Sequence, residues 1–440
     1  MHIVALNQFY APHRSATAQL LTELAEGLVQ RGHRVTVVTS GPRFRSTFRG
    51  PGSAHIDRDV NGVRVIRIPS THLGKANLLR RAADYATFYV EALRTLLALP
   101  ERPDVFLPLT TPPFVAIAAQ LAALPARVPV VALVQDLYPD VAVRLGVLAH
   151  HGLAHKAFGA LAGLSLRGAT HLIALSDLMA EHLRAYGVRP GLIDVIPNWA
   201  LAELEGTATP TSEAPAKRRY GAEARLEYGL GDRFVVMYSG NLGAGHQFET
   251  LLAAARRLRS RNDIVFAFVG EGVRKAEVER FVEAEALPNV KVFPLAPLAR
   301  LAESLGAADL HAITMRDGLE GLVVPSKLYG VLAAERPAMF IGPVRDSVAE
   351  TIRTADAGMC FDNGDVSGVV AAITDLAAHP EAARAMGLRG RAHLDAHLTR
   401  ERALDAYERV LALACARGAR PEEGARAASA NDAHDRSLGR

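Results

Sequence analysis

The sequence predicts an α/β protein with two doubly wound units that face each other across a cleft. Short β-branched runs alternate with longer helical patterns through the first 200 residues, and a second alternating series opens at residue 234. Strands that are joined by crossover helices pair in parallel, and the helices then cover both faces of the sheet. A chain of 440 residues has room for two such units.

The first unit begins with an apolar strand pattern at 3–6 and a helical pattern at 16–30. Gly32 then supplies a left-handed helix cap before the next strand at 34–39. Further strands are predicted at 63–68, 104–109, 128–134, 171–175 and 192–196 in the first unit, and at 234–239, 264–269, 290–293, 310–314, 338–341 and 358–361 in the second.

Residues 203–215 separate the two units, because they are rich in Thr, Pro, Gly, Ser and Glu and show no periodicity. Residues 419–440 include no aromatic residue, which is typical of a solvated tail. We therefore predict an amino-terminal domain at 1–200, a linker at 201–230, a carboxyl-terminal domain at 231–390, a terminal helix at 391–418 that packs back toward the amino-terminal domain, and a disordered tail at 419–440.

The composition excludes several classes of protein. Two cysteines, Cys360 and Cys415, cannot form a disulfide framework or a CxxC-type structural zinc site. The amino terminus opens on an apolar run with no basic leader, and no apolar run is long enough to span a bilayer. We expect no signal peptide, no transmembrane helix and a reducing, cytoplasmic compartment.

The net charge of +4 does not favour a nucleic-acid partner. The first 104 residues are more basic than the rest, with fourteen basic and eight acidic side chains. Residues 76–99 form a helical pattern with an apolar face and arginines elsewhere. Such a face packs on a core or docks on an anionic membrane surface, and the sequence leaves both interpretations open.

Two glycine-rich turns follow the first and second strands of the second unit. Gly240 and Gly243 belong to one turn, and Gly270 and Gly272 to the other. Glycine lets backbone N–H groups approach an anion, although a tight turn alone also accounts for it. There is no P-loop, and the first βα turn at 7–16 contains no glycine, so a P-loop kinase and a nicotinamide dehydrogenase lose their support. Two glycine turns at one cleft favour a nucleotide diphosphate.

A polar cluster precedes a later helix of the second unit. Glu320, Ser326 and Lys327 follow a predicted strand and lead into a helical pattern that ends near residue 334. A lysine suits a phosphate and a carboxylate suits a sugar hydroxyl. The alternative is a capped helix with solvated charges.

The order and spacing of these motifs resemble the family 4 glycosyltransferases, which have the GT-B fold of two Rossmann-like domains. The branch that the chain resembles is the colanic-acid and O-antigen type, and the similarity extends over about residues 1–415. It is carried by Tyr10-Ala11-Pro12, Arg31-Gly32-His33-Arg34, Thr111-Pro112-Pro113, Gln135-Asp136-Leu137-Tyr138-Pro139, Ile196-Pro197-Asn198-Trp199, Ser239-Gly240-Asn241-Leu242-Gly243, Gly270-Glu271-Gly272, Pro325-Ser326-Lys327-Leu328-Tyr329-Gly330 and Arg336-Pro337.

This resemblance implies a retaining glycosyltransferase. It would move a hexose or N-acetylated hexose from a UDP-linked donor to a lipid-linked or saccharide acceptor, in polysaccharide biosynthesis at the inner face of the cell membrane. The nucleotide sugar is a substrate and no cofactor is implied; no DxD triplet follows a strand, so no metal site is expected. The alternatives are a sugar-nucleotide epimerase that needs no acceptor and a non-catalytic scaffold of a polysaccharide assembly complex.

The chain departs from the family's pair of glutamates. Glu320 matches the first, which lies near the transferred sugar, but Leu328 stands eight residues later, and Gly330 stands where the second is found by counting back from the Arg-Pro motif. Glu335 also replaces the glycine that the family usually has before that motif.

The glycine turn lacks the family's usual cations, because Asn241 and His246 occupy their places. Lys327 is therefore predicted to supply the missing positive charge, and Ser326 or Tyr329 part of the ribose contact. The predicted donor-binding residues are Gly240, Asn241, Gly243, His246, Gly270, Gly272, Glu320, Gly321, Ser326, Lys327 and Tyr329.

In the amino-terminal half, Gln135 and Asp136 end a strand at the cleft, where many relatives carry a histidine near the acceptor hydroxyl. Asp136 is predicted to accept the proton of that hydroxyl or to orient the donor sugar, and the alternative is that it caps the following turn. His13, Arg14 and Ser15 lie in the first loop, where they line the cleft or are simply solvated. The predicted catalytic set is Asp136, Glu320 and Lys327.

Overall fold

The computed structural model describes residues 1–13, 15–41, 55–71, 78–204 and 221–418. Arg14, much of the predicted linker and the predicted tail at 419–440 lie outside the described residues.

A mostly parallel sheet forms the centre of the amino-terminal domain. Its strands are β1 (His2–Leu6), β2 (Arg34–Ser40), β3 (His55–Val60), β4 (Val63–Ile68), β5 (Val105–Pro108), β6 (Val131–Leu133), β7 (His171–Ala174) and β8 (Ile193–Val195). Five strands follow the order β3-β4-β2-β1-β5 and three the order β6-β7-β8, and a bridge between Phe106 and Val130 joins the two groups. Only β3, which pairs with β4, is antiparallel among these strands.

Helices cover both faces of this sheet: α1 (Ala16–Gln30), α2 (Leu78–Leu97), α3 (Ala116–Ala123), α4 (Asp140–Arg144), α5 (Leu153–Arg167) and α6 (Asp177–Ala185). The Ser15 hydroxyl caps α1 by accepting a hydrogen bond from the amide of Ala18 at 3.4 Å. After α1 the chain turns at Gly32, whose φ of +83° is the left-handed value that favours glycine.

The carboxyl-terminal domain has a six-stranded sheet in which every pair is parallel. Its strands are β9 (Phe234–Ser239), β10 (Ile264–Val269), β11 (Val290–Phe293), β12 (Leu310–Thr314), β13 (Ala338–Ile341) and β14 (Gly358–Phe361), in the order β11-β10-β9-β12-β13-β14. The helices are α7 (Ala222–Glu227), α8 (Glu249–Arg257), α9 (Lys275–Ala284), α10 (Leu301–Gly306), α11 (Lys327–Ala333), α12 (Ser347–Thr354), α13 (Val366–Ala378), α14 (Pro380–His397) and α15 (Arg400–Gly418). The order reverses beside β9, and ligands bind at such switch points in open α/β sheets. The predicted α/β class with two doubly wound units is confirmed.

The last helix, α15, packs against α1 of the amino-terminal domain. Arg31 lies 2.6 Å from carboxylate oxygens of Glu401, Asp405 and Glu408, and Leu404 lies directly against Gly27. The helical region expected as one terminal helix is divided at residues 398–399 into α14 and α15.

The segment that joins the domains is held by a buried carboxylate. Glu23 on α1 accepts hydrogen bonds from the Trp199 indole at 2.6 Å and from the Ala202 amide at 2.7 Å. Burial raises the pKa of Glu23, and these two donors oppose that shift. The chain therefore leaves the amino-terminal domain at a fixed point on α1.

The apolar face of α2 packs on the core in the part that the structure describes. Phe88, Ala92 and Leu96 are buried, and Tyr89 and Leu93 pack beside them. Packing is thus the interpretation that the structure supports for this face. Among the described residues, no helix is long and apolar enough to cross a membrane.

Candidate functional site

The two glycine turns of the carboxyl-terminal domain pack directly on each other. The Gly240 amide donates to the carbonyl of Val269 at 2.9 Å, and Gly240 has a φ of +121°. A Cβ on Gly270 would stand 1.9 Å from the carbonyl oxygen of Gly240. Since backbone cannot yield as a flexible side chain does, a residue with a side chain cannot replace Gly270 here without moving the first turn.

Lys327 and His246 meet beside the first turn. Lys327 Nζ lies 3.1 Å from His246 Nε2 and 5.2 Å from the centre of the Tyr238 ring. Lys327 Cε lies 2.9 Å from where a Cβ on Gly240 would stand. His246 Nδ1 is 2.6 Å from the carbonyl of Thr314 and so donates to it. The free lone pair is therefore on Nε2, where it accepts a hydrogen bond from the lysine.

Burial weakens both charges of this pair. It lowers the pKa of Lys327 to about 8, and burial together with the nearby lysine lowers the pKa of His246 to about 3. The pair therefore carries one positive charge near neutral pH, held by a neutral imidazole. An anion at the glycine turn would restore the lysine's full charge.

A cavity of about 170 Å³ opens beside this pair. Ser239, Gly240 and Lys327 line its polar side, and Leu295 and Leu301 line its apolar side. Ala16 and Gln19, at the start of α1, close it from the amino-terminal domain, so the cavity lies between the two domains.

Both residues predicted for the ribose, Ser326 and Tyr329, line this cavity. Gly330 lines it as well, and a Cβ at Gly330 would meet Leu305 Cδ1 at 3.3 Å. Tyr329 is largely buried, and its hydroxyl lies against the backbone of Asn198 in the interdomain segment. Tyr329 therefore connects α11 with the interdomain segment through its hydroxyl.

The loop that carries Glu320 is attached to the amino-terminal domain. His182 Nε2 on α6 lies 3.1 Å from the Glu320 carbonyl oxygen, and the Leu137 amide donates to the Leu322 carbonyl at 2.9 Å. Gly321, with a φ of +67°, has no room for a Cβ, which would stand 2.7 Å from Leu178 Cγ. Gly321 thus lies at the contact between the domains, and the cleft is closed at this point.

Asp346 lies beside the Glu320 loop and was not predicted from the sequence as a site residue. It is fully buried at the start of α12, where it accepts a hydrogen bond from the Val348 amide at 2.9 Å. Burial raises its pKa to about 6, backbone hydrogen bonds including one with Gly321 oppose this, and the charge of Glu320 adds to it. In the sequence it looks only like a helix cap, so nothing in it signals contact with the Glu320 loop.

Asp136 lies on the opposite side of the cleft in an apolar setting. It lines a small cavity of about 30 Å³ with Thr110, Phe114 and Leu166, and burial raises its pKa to about 6. Its carboxylate makes no hydrogen bond to another described residue, and α4 begins later, after Pro139, without a side-chain cap. These contacts give no support to the turn-capping alternative.

The neighbours of Asp136 are also unusual. Phe114 has a φ of +66°, a strained conformation for an aromatic residue, and such strain often accompanies functional sites. Gln135 is buried, and its side-chain oxygen has no hydrogen-bond partner among the described residues. The Thr110 hydroxyl accepts from the amides of Gln135 and Asp136 at 3.1 and 3.3 Å, which fixes the end of the strand.

The first loop has local roles that the structure shows directly. His13 Nδ1 lies 3.0 Å from the Ser15 hydroxyl, and the His13 ring stacks on Phe9 at 4.2 Å.

A second cation at the cleft, Arg144, was not predicted from the sequence. Its Cδ lies 3.2 Å from where a Gly318 Cβ would stand, so it reaches across the cleft toward the Glu320 loop. Its position at the end of a five-residue helix gives no sequence signal.

Asn241, Gly243 and Gly272 remain at the turn, close to one another. The Asn241 carbonyl accepts from the Tyr238 hydroxyl at 2.7 Å, and the amide side chain lies against Gly243 and Gly272. No group of three or more His, Cys, Asp or Glu side chains within the described ranges is placed to hold a metal ion.

Among the proteins of known sequence, the chain is 26% identical over 383 residues to WcaI of Escherichia coli (strain K12), which is named as a colanic acid biosynthesis glycosyl transferase; the match takes in 85% of this chain and 91% of WcaI. It is 28% identical over 255 residues to WbjE of Pseudomonas aeruginosa, named as a glycosyltransferase, with 58% and 60% of the two chains covered.

Solved structures show the same fold. HepE of Anabaena, solved in complex with UDP-glucose, superposes with a TM-score of 0.68 at 14% identity and covers 94% of this chain and 99% of its own. Residues 16–199 match the model of the glycosyl transferase 4-like domain, and residues 233–379 match that of the glycosyl transferases group 1. Together these two matches take in well over half of the sequence, and the chain belongs to the family 4 type of glycosyltransferases with the GT-B fold.

Proposed function

We propose that this glycosyltransferase transfers a hexose or N-acetylated hexose, with retention of configuration, from a UDP-linked donor to a lipid-linked or saccharide acceptor. The observation that carries the proposal is the Lys327–His246 pair beside the Gly240 turn, at the cavity between the domains. The names of WcaI, for colanic acid biosynthesis, and the UDP-glucose complex of HepE support a role in polysaccharide biosynthesis and a UDP-linked donor.

The donor's diphosphate is proposed to bind at the glycine turn. Backbone amides near Gly240 and Gly270 approach it closely, and the Lys327 ammonium neutralises the charge that develops as the sugar leaves. His246 Nε2 accepts a hydrogen bond from the Lys327 ammonium and so orients it. The apolar wall at Leu295 and Leu301 is suited to the nucleoside.

The sugar and the acceptor are proposed to lie between the two sheet edges. Glu320 holds a sugar hydroxyl, on a loop that Asp346 and His182 fix in position. Asp136 accepts the proton of the acceptor hydroxyl, because its raised pKa makes the carboxylate a better base. Departure of UDP and attack of the acceptor then occur on the same face of the sugar, and no covalent sugar–enzyme intermediate is required. No cofactor enters this scheme.

The proposed place of action is the inner face of the cell membrane, where a lipid-linked acceptor is presented. Contact with the membrane is peripheral in this proposal, since the described helices are too short or too polar to cross it.

A thermal-shift panel of UDP, GDP, ADP and their common sugar conjugates, with and without EDTA, tests the donor assignment on the full chain and on Lys327→Ala. A ligand at a hundred times its Kd stabilises the native state by about 2.7 kcal/mol. We expect UDP and its conjugates to raise the Tm without metal, and Lys327→Ala to lose that increase. Lys156→Ala is the matched control, because Lys156 is exposed on α5 and does not line the donor cavity.

Each outcome separates the proposal from its alternatives. If no nucleotide stabilises the chain, the donor assignment fails and the scaffold becomes the better description. If UDP binds and the UDP-sugar turns over with no acceptor present to give an isomeric UDP-sugar, the protein is an epimerase and not a transferase.

A further inference from the structure

The outward side of α5 is apolar, which is unusual for a surface helix. Leu153 is 88% exposed and Leu164 54%, and Phe158 and Leu161 are also exposed. At 3.6 residues per turn these four side chains fall within an arc of about 140°. The other outward residues are alanines and two cations, Lys156 and Arg167.

The neighbouring helix α3 extends this surface. Leu121 and Leu124 are exposed at its end, and the Gln120 side chain donates to the Ser165 carbonyl of α5 at 2.6 Å, so the two helices are directly packed. We call the exposed side chains Leu121, Leu124, Leu153, Phe158, Leu161 and Leu164 the α3–α5 face. Of the large apolar side chains exposed among the described residues, this face holds six of fourteen. Clustered apolar surface of this kind marks an interaction site.

The two segments that form the α3–α5 face carry charge of one sign. Residues 105–135 and 141–176, which contain α3 and α5, include no Asp or Glu. Their cations are Arg127, Lys156 and Arg167, which are exposed, and Arg144, which faces the cleft beside Gly318. An apolar stripe on helices that carry cations and no carboxylate is complementary to an anionic lipid surface, where leucines enter the acyl boundary and cations bind headgroup phosphates.

The face lies behind the acceptor side of the cleft. Phe158 stacks on Phe114 with ring centres 6.1 Å apart, and the inward side of α5 lines the Asp136 cavity through Ala162 and Leu166. A helix is about 10 Å across, so a bilayer on the outer side of α5 would lie one helix diameter from that cavity.

We propose that the α3–α5 face docks this protein on a bilayer that contains anionic phospholipid, and so places the Asp136 cavity at the membrane surface. The acceptor taken at that cavity would then be lipid-linked, which is the part of the inference that rests on the proposed function. The docking itself depends only on the α3–α5 face.

Flotation of the full chain with vesicles tests the docking. We expect the protein to float with vesicles of equal phosphatidylglycerol and phosphatidylcholine, to float far less with phosphatidylcholine alone, and to be released by salt. Leu161→Gln/Leu164→Gln and, separately, Lys156→Glu should weaken binding to the anionic vesicles at least about tenfold. Leu226→Gln/Leu388→Gln, which changes two isolated exposed leucines of the carboxyl-terminal domain, should bind as the unmodified chain does.

UDP-induced stabilisation is measured on every variant, because it reports folding and the donor site independently of lipid. Failure to float with anionic vesicles, or equal flotation of the Leu161/Leu164 variant, overturns the docking while leaving the donor assignment intact. A dimer in light scattering that the same variant dissociates, without vesicle binding, shows that a second copy covers the face and also overturns it. Vesicle binding without any UDP effect would support the docking and refute the proposed function.

Discussion

The two sheet edges that meet at the cleft both lie at the carboxyl ends of parallel strands, but they have opposite chemical character. The carboxyl-terminal edge presents backbone amides at Gly240 and Gly270 and one cation, Lys327. The amino-terminal edge presents one carboxylate, Asp136, in a cavity lined by Phe114 and other apolar residues. The carboxyl-terminal edge is therefore suited to binding an anion, and the amino-terminal edge to accepting a proton.

This difference shows that the doubly wound fold determines where ligands bind, whereas the side chains at each edge determine the chemistry. Both edges lie at the carboxyl ends of parallel strands, where ligands bind. Burial then shifts the pKa values in opposite directions, to about 8 for Lys327 and to about 6 for Asp136. Each shift brings the pKa of its group closer to neutral pH, that of Lys327 from above and that of Asp136 from below.

The largest effect is expected at the acceptor edge. Asp136→Asn removes the proposed base, so kcat should fall about 10²- to 10⁴-fold while UDP affinity is unchanged. In the unmodified enzyme, the rate should fall as the pH drops through about 6, because the carboxylate becomes protonated. Steady-state rates over a pH series measure both effects.

Asp140→Asn is the matched control for this variant, since Asp140 lies nearby and accepts a hydrogen bond from Tyr186 instead of facing the cavity. An acidic limb that persists in Asp136→Asn would show that another group is the base.

A second prediction concerns the rigidity of the donor edge. Gly270→Ala places a Cβ 1.9 Å from the Gly240 carbonyl oxygen, and we expect it to lower the free energy of unfolding by about 3 kcal/mol and to abolish UDP binding. Urea unfolding gives the stability, and Gly191→Ala, where a Cβ meets nothing within 4 Å, should change it little. A Gly270→Ala protein with normal stability and UDP affinity would mean that the two turns are not rigidly packed.

The third prediction is the pH dependence of donor binding. UDP binds the protonated lysine, and the donor-free protein loses that proton as the pH rises through about 8. UDP affinity should therefore fall about tenfold between pH 7 and pH 9, because Lys327 keeps its proton in the UDP complex whereas the free protein has released it. Lys327→Arg keeps its charge throughout this range, so its affinity should vary much less. Equal slopes for both proteins would assign the titration to another group.

The smallest effect is expected away from both edges. Glu335 has a φ of +55°, which is a left-handed conformation, and this explains why the family usually has glycine there. Glu335→Gly should raise the free energy of unfolding by about 0.5–1 kcal/mol without changing activity. Destabilisation in urea unfolding would instead show that the glutamate side chain makes a contact worth more than the strain.

The sequence was sufficient for the fold because each strand except β3 has a local signal. The apolar runs at 3–6 and 234–239 coincide with β1 and β9 to within one residue, and the confirmed family resemblance rests on motifs at the ends of such strands. The sequence did not predict β3, because four of the six residues in His55–Val60 are polar or charged and the strand pairs only at the sheet edge.

The site was harder to predict because its contacts join distant parts of the chain. Lys327 and His246 are 81 residues apart, and the contact exists because β12 lies next to β9 in the sheet. The His182 contact with Glu320 spans 138 residues and depends on how the domains meet. Gly321 was expected at the donor, yet its neighbour is Leu178 of the other domain.

The division of work between the two edges is tested most directly by UDP calorimetry on the unmodified protein, Lys327→Ala and Asp136→Asn at one neutral pH. We expect Lys327→Ala to weaken UDP binding at least about tenfold, through loss of a charge-assisted contact, and Asp136→Asn to bind UDP as the unmodified protein does. Equal affinity of Lys327→Ala and the unmodified protein, or an equal loss in both variants, would contradict this division of work.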